Sequence, residues 1–163
     1  MIRIKELNEY QRNFIKELET LFETTIVPPK IITVSNREEF NTLSGRLESP
    51  KWVVACVMQK NILIFDDENL EKETIHKKES VNTIIKHELV HLMYHKKLGT
   101  SEPLWLNEGL ASYLSGKKIP SAKIDKKDII RLFKRNNERG NTVNVHKKGA
   151  VIVKHIMDEL CEK

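Results

Sequence analysis

An α+β fold is expected for this chain of 163 residues, on three observations. Apolar residues at helical spacing open the chain, two short β-branched and aromatic runs occupy its middle, and helical periodicity dominates from there to the end. The length suffices for one hydrophobic core and is too short for two full ones, so a single domain over residues 1–163 is expected.

Residues 6–25 place Leu7, Tyr10, Phe14, Leu18, Leu21 and Phe22 three and four apart, the stripe of an amphipathic helix that Pro28-Pro29 stops. Lys30 to Ser35 is a strand by its content of Ile31, Ile32, Thr33 and Val34, and Asn36 then begins a short capped helix ending near Gly45. Trp52 to Met58 and Ile62 to Phe65, divided by Gln59-Lys60-Asn61, read as a β-hairpin. Asp66 to Glu79 has no periodicity and reads as a surface connection.

Ser80 as N-cap and Gly99 as stop frame a helix of about five turns, apolar over much of its circumference and therefore buried. Pro103 in a first-turn position and Gly116 frame a second helix after a tight turn. Beyond the linker Lys117 to Lys123, Ile124 to Lys134 and Val143 to Leu160 read as two further helices around the polar segment 136–141. The natural division is an N-terminal lobe of about 1–99 and a helical C-terminal lobe of about 100–163.

Hydrophobic residues at 39% and charged residues at 31% exclude a disordered chain. No apolar run approaches the roughly 18 residues of a membrane span, and the first residues run straight into charge with no export signal, so a cytoplasmic location is expected. Cys56 and Cys161 are too few for a disulfide framework and are read as reduced and structural. Residues 1–95 hold 13 Lys/Arg against 15 Asp/Glu and residues 96–163 hold 15 against 8, so the second half is basic. Its lysines are dispersed and lack interleaved aromatics, which favours a solvated face over a nucleic-acid surface.

Within the buried helix lies His87-Glu88-Leu89-Val90-His91, and chance alone would produce such a pattern about 0.02 times in a chain of this composition. Residues four apart share one helix face about 6 Å apart along the axis, so both imidazoles can converge on one ion. Glu88, rotated by about 100°, faces a water on the ion rather than the ion. Catalytic zinc takes a third protein ligand. His95 continues the same face, but its Cα would lie about 12 Å from that of His87, too far for one straight helix to close on one ion. A third His in the metzincin arrangement is absent, because Tyr94 and Lys97 occupy the required positions. Glu108 remains, in Trp105-Leu106-Asn107-Glu108-Gly109-Leu110-Ala111, on the helix that the turn at Gly99 returns alongside the first. Gly109, costly inside a helix by about 1 kcal/mol, is intelligible if backbones approach closely at the metal.

The pair of histidines followed 17 positions later by Glu108, within Trp-Leu-Asn-Glu-Gly-Leu-Ala-Ser-Tyr, resembles the gluzincin zinc peptidases, especially aminopeptidase N-like enzymes and the small minigluzincins. The likeness is strong over residues 80–116 and weaker elsewhere. It implies a zincin-like fold: a small mixed sheet above the active-site helix, an edge strand that pairs with extended substrate, and a helical C-terminal lobe supplying Glu108. It further implies that His146, in Val145-His146-Lys147-Lys148-Gly149-Ala150, stands where aminopeptidases carry an oxyanion-stabilising Tyr, a role that thermolysin-like gluzincins give to a His. Two departures accompany it. Val54 to Met58 has no acid to hold a free amino terminus, so aminopeptidase activity is not expected, and Ser112 stands where thermolysin-like enzymes place a carboxylate that orients an imidazole.

The function expected from residues and resemblance together is a zinc-dependent peptidase with one Zn2+ on His87, His91 and Glu108. Glu88 serves as general base, and His146 or a Tyr such as Tyr113 stabilises the oxyanion. Its partners are peptide or protein substrates. The alternatives are a latent or non-catalytic zinc-bearing binding protein, and a nucleic-acid-associated protease that uses the basic half.

Overall fold

The computed structural model describes residues 2–120, 125, 127, 130 and 142–161, the side chains of 79, 142–146 and 161 excepted. Four strands form one mixed sheet. β1 (Arg3–Lys5) pairs antiparallel with β2 (Ile31–Val34), β2 pairs parallel with β4 (Asn61–Phe65), and β3 (Ala55–Met58) pairs antiparallel with β4 at the edge. The spatial order is β1-β2-β4-β3. β1 has no counterpart among the expected elements, because it is three residues long, Arg3-Ile4-Lys5, and none of them is buried.

The parallel pairing of β2 with β4 needs a crossover, and α2 (Arg37–Ser44) with the β3 hairpin strand supplies it. Asn36 caps α2 by accepting from the Glu39 amide, and Gly45 ends it at a φ of 68°. The β3–β4 hairpin turns on two residues, Gln59 and Lys60, both at positive φ, so Asn61 belongs to β4 and not to the turn. β3 begins at Ala55, later than expected, because the preceding residues are held as a loop: the Val53 amide donates to Pro50 O, and Arg37 Nη1 donates to Val53 O at 2.7 Å.

β4 is the centre of the core, with Ile62, Leu63, Ile64 and Phe65 all buried. Phe40 of α2 stacks on Phe65 with centroids 5.0 Å apart. The other face is covered by α1 (Glu9–Phe22) and α4 (Val81–Leu98), joined where Lys86 lies 4.1 Å over the Phe14 ring. Segment 66–79 is not wholly a surface connection. Asp66 Oδ1 accepts from the Asn69 amide and side chain, which starts one helical turn, α3 (Leu70–Glu73), and this buries Leu70 completely.

Ser80 is the last residue of a 3-10 turn, Lys78–Ser80, and makes no cap bond, so α4 begins without the expected side-chain cap. α4 ends at Gly99 (φ 70°), and α5 (Leu104–Leu114) follows. The final helix, α6 (Thr142–Cys161), packs on α5. The helix expected over 124–134 and the connector at 136–141 lie outside the described residues apart from positions 125, 127 and 130. The α+β expectation holds, with a small mixed sheet and helices making up the rest of the described elements. Among those helices none is long and apolar enough to cross a membrane.

Candidate metal centre

α4 is gripped by its apolar residues. Ile84, Ile85, Leu89, Val90, Met93 and Tyr94 are buried, which leaves His87 and His91, one turn apart, on a partly accessible face. Their rings meet edge to face at 4.7 Å. The return into α5 is held by Tyr94, whose hydroxyl donates to Glu102 O at 3.1 Å. α5 thereby presents Glu108 to both imidazoles, with His87 Nε2 3.3 Å from Oε2 and His91 Nε2 3.6 Å from Oε1.

One donor atom from each of His87, His91 and Glu108 lies within 4.8 Å of the others. Ligands at 2.0 to 2.1 Å from a tetrahedral zinc stand about 3.3 Å from one another, close to both observed imidazole–carboxylate separations. Two imidazole nitrogens and one carboxylate also match the donor chemistry of zinc sites that keep a fourth position open. On distance and on donor type the residues fit the metal.

His91 is further held from behind. Its Nδ1 lies 2.7 Å from Asn107 Oδ1, while Asn107 Nδ2 donates to Ser101 O at 3.2 Å. That second bond fixes which end of the amide faces the ring. An amide oxygen only accepts, so Nδ1 carries a proton and Nε2 is the nitrogen left to bind a metal on the Glu108 side. Asn107 thus supplies for His91 the orientation that Ser112, buried and one turn further on, does not. Its signal in the sequence was a polar, poorly helix-forming residue inside the apolar run from Trp105 to Ala111.

Glu88 is 8% exposed and sits beside this cluster. Burial pushes its carboxyl above the usual range; His91 and His87 pull it down, Glu108 pushes it up, and Arg46 pulls it down. A carboxyl so placed holds its proton more firmly than an exposed one. The edge strand β3 packs against α4. Its Cys56 is half-buried, with the thiol pushed to about 11 by burial, lowered by Arg46 and raised by Glu88. Cys56 is a free thiol, as expected; the Cys161 side chain lies outside the described residues.

The remaining sequence candidates separate. His95 is exposed near the end of α4. Tyr113 packs with Trp105, Ile152 and Val153 in the cluster that joins α5 to α6. His146 falls within α6, but its side chain lies outside the described residues. Gly109 does mark a close approach, though not to α4: a Cβ there would stand 2.6 Å from Gly149 O and 2.5 Å from Val153 Cγ2, both on α6. The glycine serves the packing of the helix behind the ligand.

A family model described as Peptidase family M1 domain matches residues 6–160. No curated protein and no solved structure matches the chain.

Proposed function

The chain belongs to the M1 family of zinc peptidases, of gluzincin type, and on that premise we propose that His87, His91 and Glu108 hold the metal while Glu88 moves the proton of peptide hydrolysis. The observation that carries this reading is the meeting of three donors from two helices within 4.8 Å, with the Glu88 carboxyl buried beside them. When bound, zinc supplies Lewis acidity, polarising a scissile carbonyl and making water acidic near neutral pH.

The chain's own residues do the rest. Glu108 and the two Nε2 atoms bind, and Asn107 keeps His91 in the tautomer that can do so. A Glu88 carboxylate oxygen accepts the proton of the attacking water and returns it to the departing amine nitrogen, and its burial keeps that carboxyl from ionising too readily to give the proton back. An N–H of the His146 imidazole donates to the oxyanion of the tetrahedral species. We further read the chain as one unit whose lobes, about 1–99 and 100–163, meet at the metal site, with β3 as the edge along which an extended peptide pairs.

The test is metal content and cleavage measured together. Wild type is expected to hold one zinc per chain and Glu108→Ala to lose it, whereas Glu88→Gln keeps zinc and loses cleavage of a peptide library. Loss of zinc from Glu88→Gln would refute the division of roles. Wild type without zinc after metal addition and dialysis would refute the site.

A further inference from the structure

Away from the metal cluster, a cavity of about 420 Å³ opens between the sheet and the starts of α1 and α4. The parallel register that sets Ile31 beside Ile62 and Thr33 beside Ile64 turns Ile31, Thr33 and Ile64 to one face, where Val81 and Ile85 of α4 complete an apolar floor. None of His87, Glu88, His91 and Glu108 lines it. Its size is that of small-molecule sites, which join apolar walls to a few convergent polar groups. Two such groups are buried in its wall, Gln11 at 3% exposure and Thr33 at 4%. Gln11 Oε1 accepts from the Asn8 amide at 3.0 Å and Nε2 donates to Asn82 Oδ1 at 3.1 Å, which leaves the second Nε2 hydrogen without a partner among the described residues. The Thr33 hydroxyl reaches only Arg3 O, at 3.4 Å, among those residues. A buried donor left unmatched is costly, and an acceptor on a ligand in the cavity satisfies it.

The lining also carries both signs of charge. Lys5 and Glu6 come from the end of β1, and Asp67 and Lys78 from the segment between β4 and α4, so each stretch brings one cation and one acid. Lys5, Asp67 and Lys78 join no ion pair among the described residues, and Glu6 meets only the exposed Lys30, at 3.8 Å. A ligand with a single charge is repelled by one of the two pairs, whereas a ligand with both charges finds its opposite for each. We propose that this cavity binds a zwitterionic ligand with an apolar body, a short peptide or a free amino acid. Its ammonium lies toward Glu6 and Asp67, its carboxylate toward Lys5 and Lys78, a carbonyl oxygen on the open Gln11 donor, and an aliphatic side chain on the floor. The site needs neither zinc nor hydrolysis and so stands apart from the peptidase reading, although short peptides are also what that reaction releases.

The test follows backbone amide NMR shifts of isotope-labelled Glu88→Gln protein, chosen so that peptides are not consumed, with zinc and with EDTA. Leucyl-leucine, its N-acetyl form, its C-terminal amide and free leucine are titrated in turn. Shifts are expected at the Gln11, Thr33 and Val81 amides, alike with zinc and with EDTA. Blocking either terminus of the dipeptide should weaken binding by about three- to fivefold, the range of an exposed ion pair. Lys5→Ala combined with Lys78→Ala should erase the preference for free acid over amide and keep that for free amine over acetyl. Glu6→Ala combined with Asp67→Ala should do the opposite, so each doubly substituted protein retains one preference as the sign of an intact cavity. Free leucine bound as tightly as the dipeptide assigns an amino acid, and tighter binding of the dipeptide assigns a peptide.

Absence of shifts at the cavity, shifts confined to the surroundings of His87 and His91 and lost with EDTA, blocked peptides that bind as well as free ones, or a preference for one terminus alone each overturn the proposal. Cleavage by the protein with Glu88 intact is measured on a peptide library and bears only on the peptidase reading.

Discussion

Replacing Gly149 by Ala tests the packing that stands behind the metal ligand. A Cβ at this position would lie 2.2 Å from Trp105 O, 3.0 Å from its carbonyl carbon and 3.1 Å from its Cα, all backbone atoms that no rotamer change can move. Ordinary C···O contacts begin at about 3.3 Å, so α5 and α6 must part by about 1 Å. Two effects of opposite sign compete. Intrinsic propensity favours Ala over Gly inside a helix by about 1 kcal/mol, whereas overpacking costs about 1 to 3 kcal/mol, and a backbone–backbone collision belongs at the upper end. The expected net is a loss of about 2 kcal/mol, or a Tm lower by about 4 to 8 °C at this chain length. Because Trp105 lies less than one turn before Glu108, parting the helices also displaces the ligand, and zinc affinity falls with stability. Urea denaturation followed by circular dichroism, with zinc and with EDTA, reads both effects. A Gly149→Ala protein as stable as wild type or more so, with unchanged zinc affinity, would show that propensity wins and that the close approach does not govern this interface.

Asn107→Leu removes the acceptor behind His91 and should weaken zinc binding by about ten- to a hundredfold in a chelator competition, while Asn107→Asp keeps that acceptor and should lose less, though it forfeits the bond to Ser101 O. Cys56, with its thiol at about 11, should react with iodoacetamide at pH 8 about a hundredfold more slowly than a free thiol when tested in a Cys161→Ser background. The same shift fixes a sign for stability: the folded state keeps the proton longer than the unfolded one, so stability falls as pH rises from about 9 through about 11, and Cys56→Ala should remove that part of the pH dependence in denaturation curves. Arg37 holds Val53 O at 2.7 Å, Ser49 Oγ at 3.2 Å and Glu73 O, and lies 4.5 Å over Phe65. Arg37→Met should therefore cost about 2 to 4 kcal/mol in urea unfolding by leaving these acceptors unpaired, and should loosen the loop that leads into β3.

Elements whose signals are local were legible in the sequence. The stripe of α1, the Asn36 cap and Gly45 stop of α2, the buried α4 and its end at Gly99 all follow from spacing and end chemistry within one segment. What failed depends on partners distant in the chain. β1 exists because β2 offers it an edge, α3 because Leu70 finds the core, and the start of β3 is set by Arg37, sixteen residues before the Val53 carbonyl it binds. The candidate site divides in the same way. His87 and His91 are four apart on one helix, and Glu108 could be reached through the turn at Gly99. Asn107 was hidden, since a lone Asn has no spacing rule and its purpose shows only once α5 lies against His91.

Asn107, Glu108 and Gly109 are consecutive and all buried, yet each makes a different kind of contact. Successive helical residues point about 100° apart, so a helix wedged between two others can divide three tasks between them. Asn107 meets His91 Nδ1, Glu108 meets both Nε2 atoms, and Gly109 lets Gly149 and Val153 press against the opposite side. None of these positions can trade residues with its neighbour: Asn at 108 would lack the charge, Glu at 107 would set a carboxylate against Ser101 O, and any side chain at 109 would strike α6. Substitutions should therefore leave distinct signatures. Asn107→Leu weakens zinc binding with little loss of metal-free stability, Glu108→Ala abolishes zinc binding, and Gly109→Ala lowers stability first and zinc affinity as a consequence. Three variants that instead lost stability and zinc in the same proportion would mean that α5 acts as one rigid block without this division.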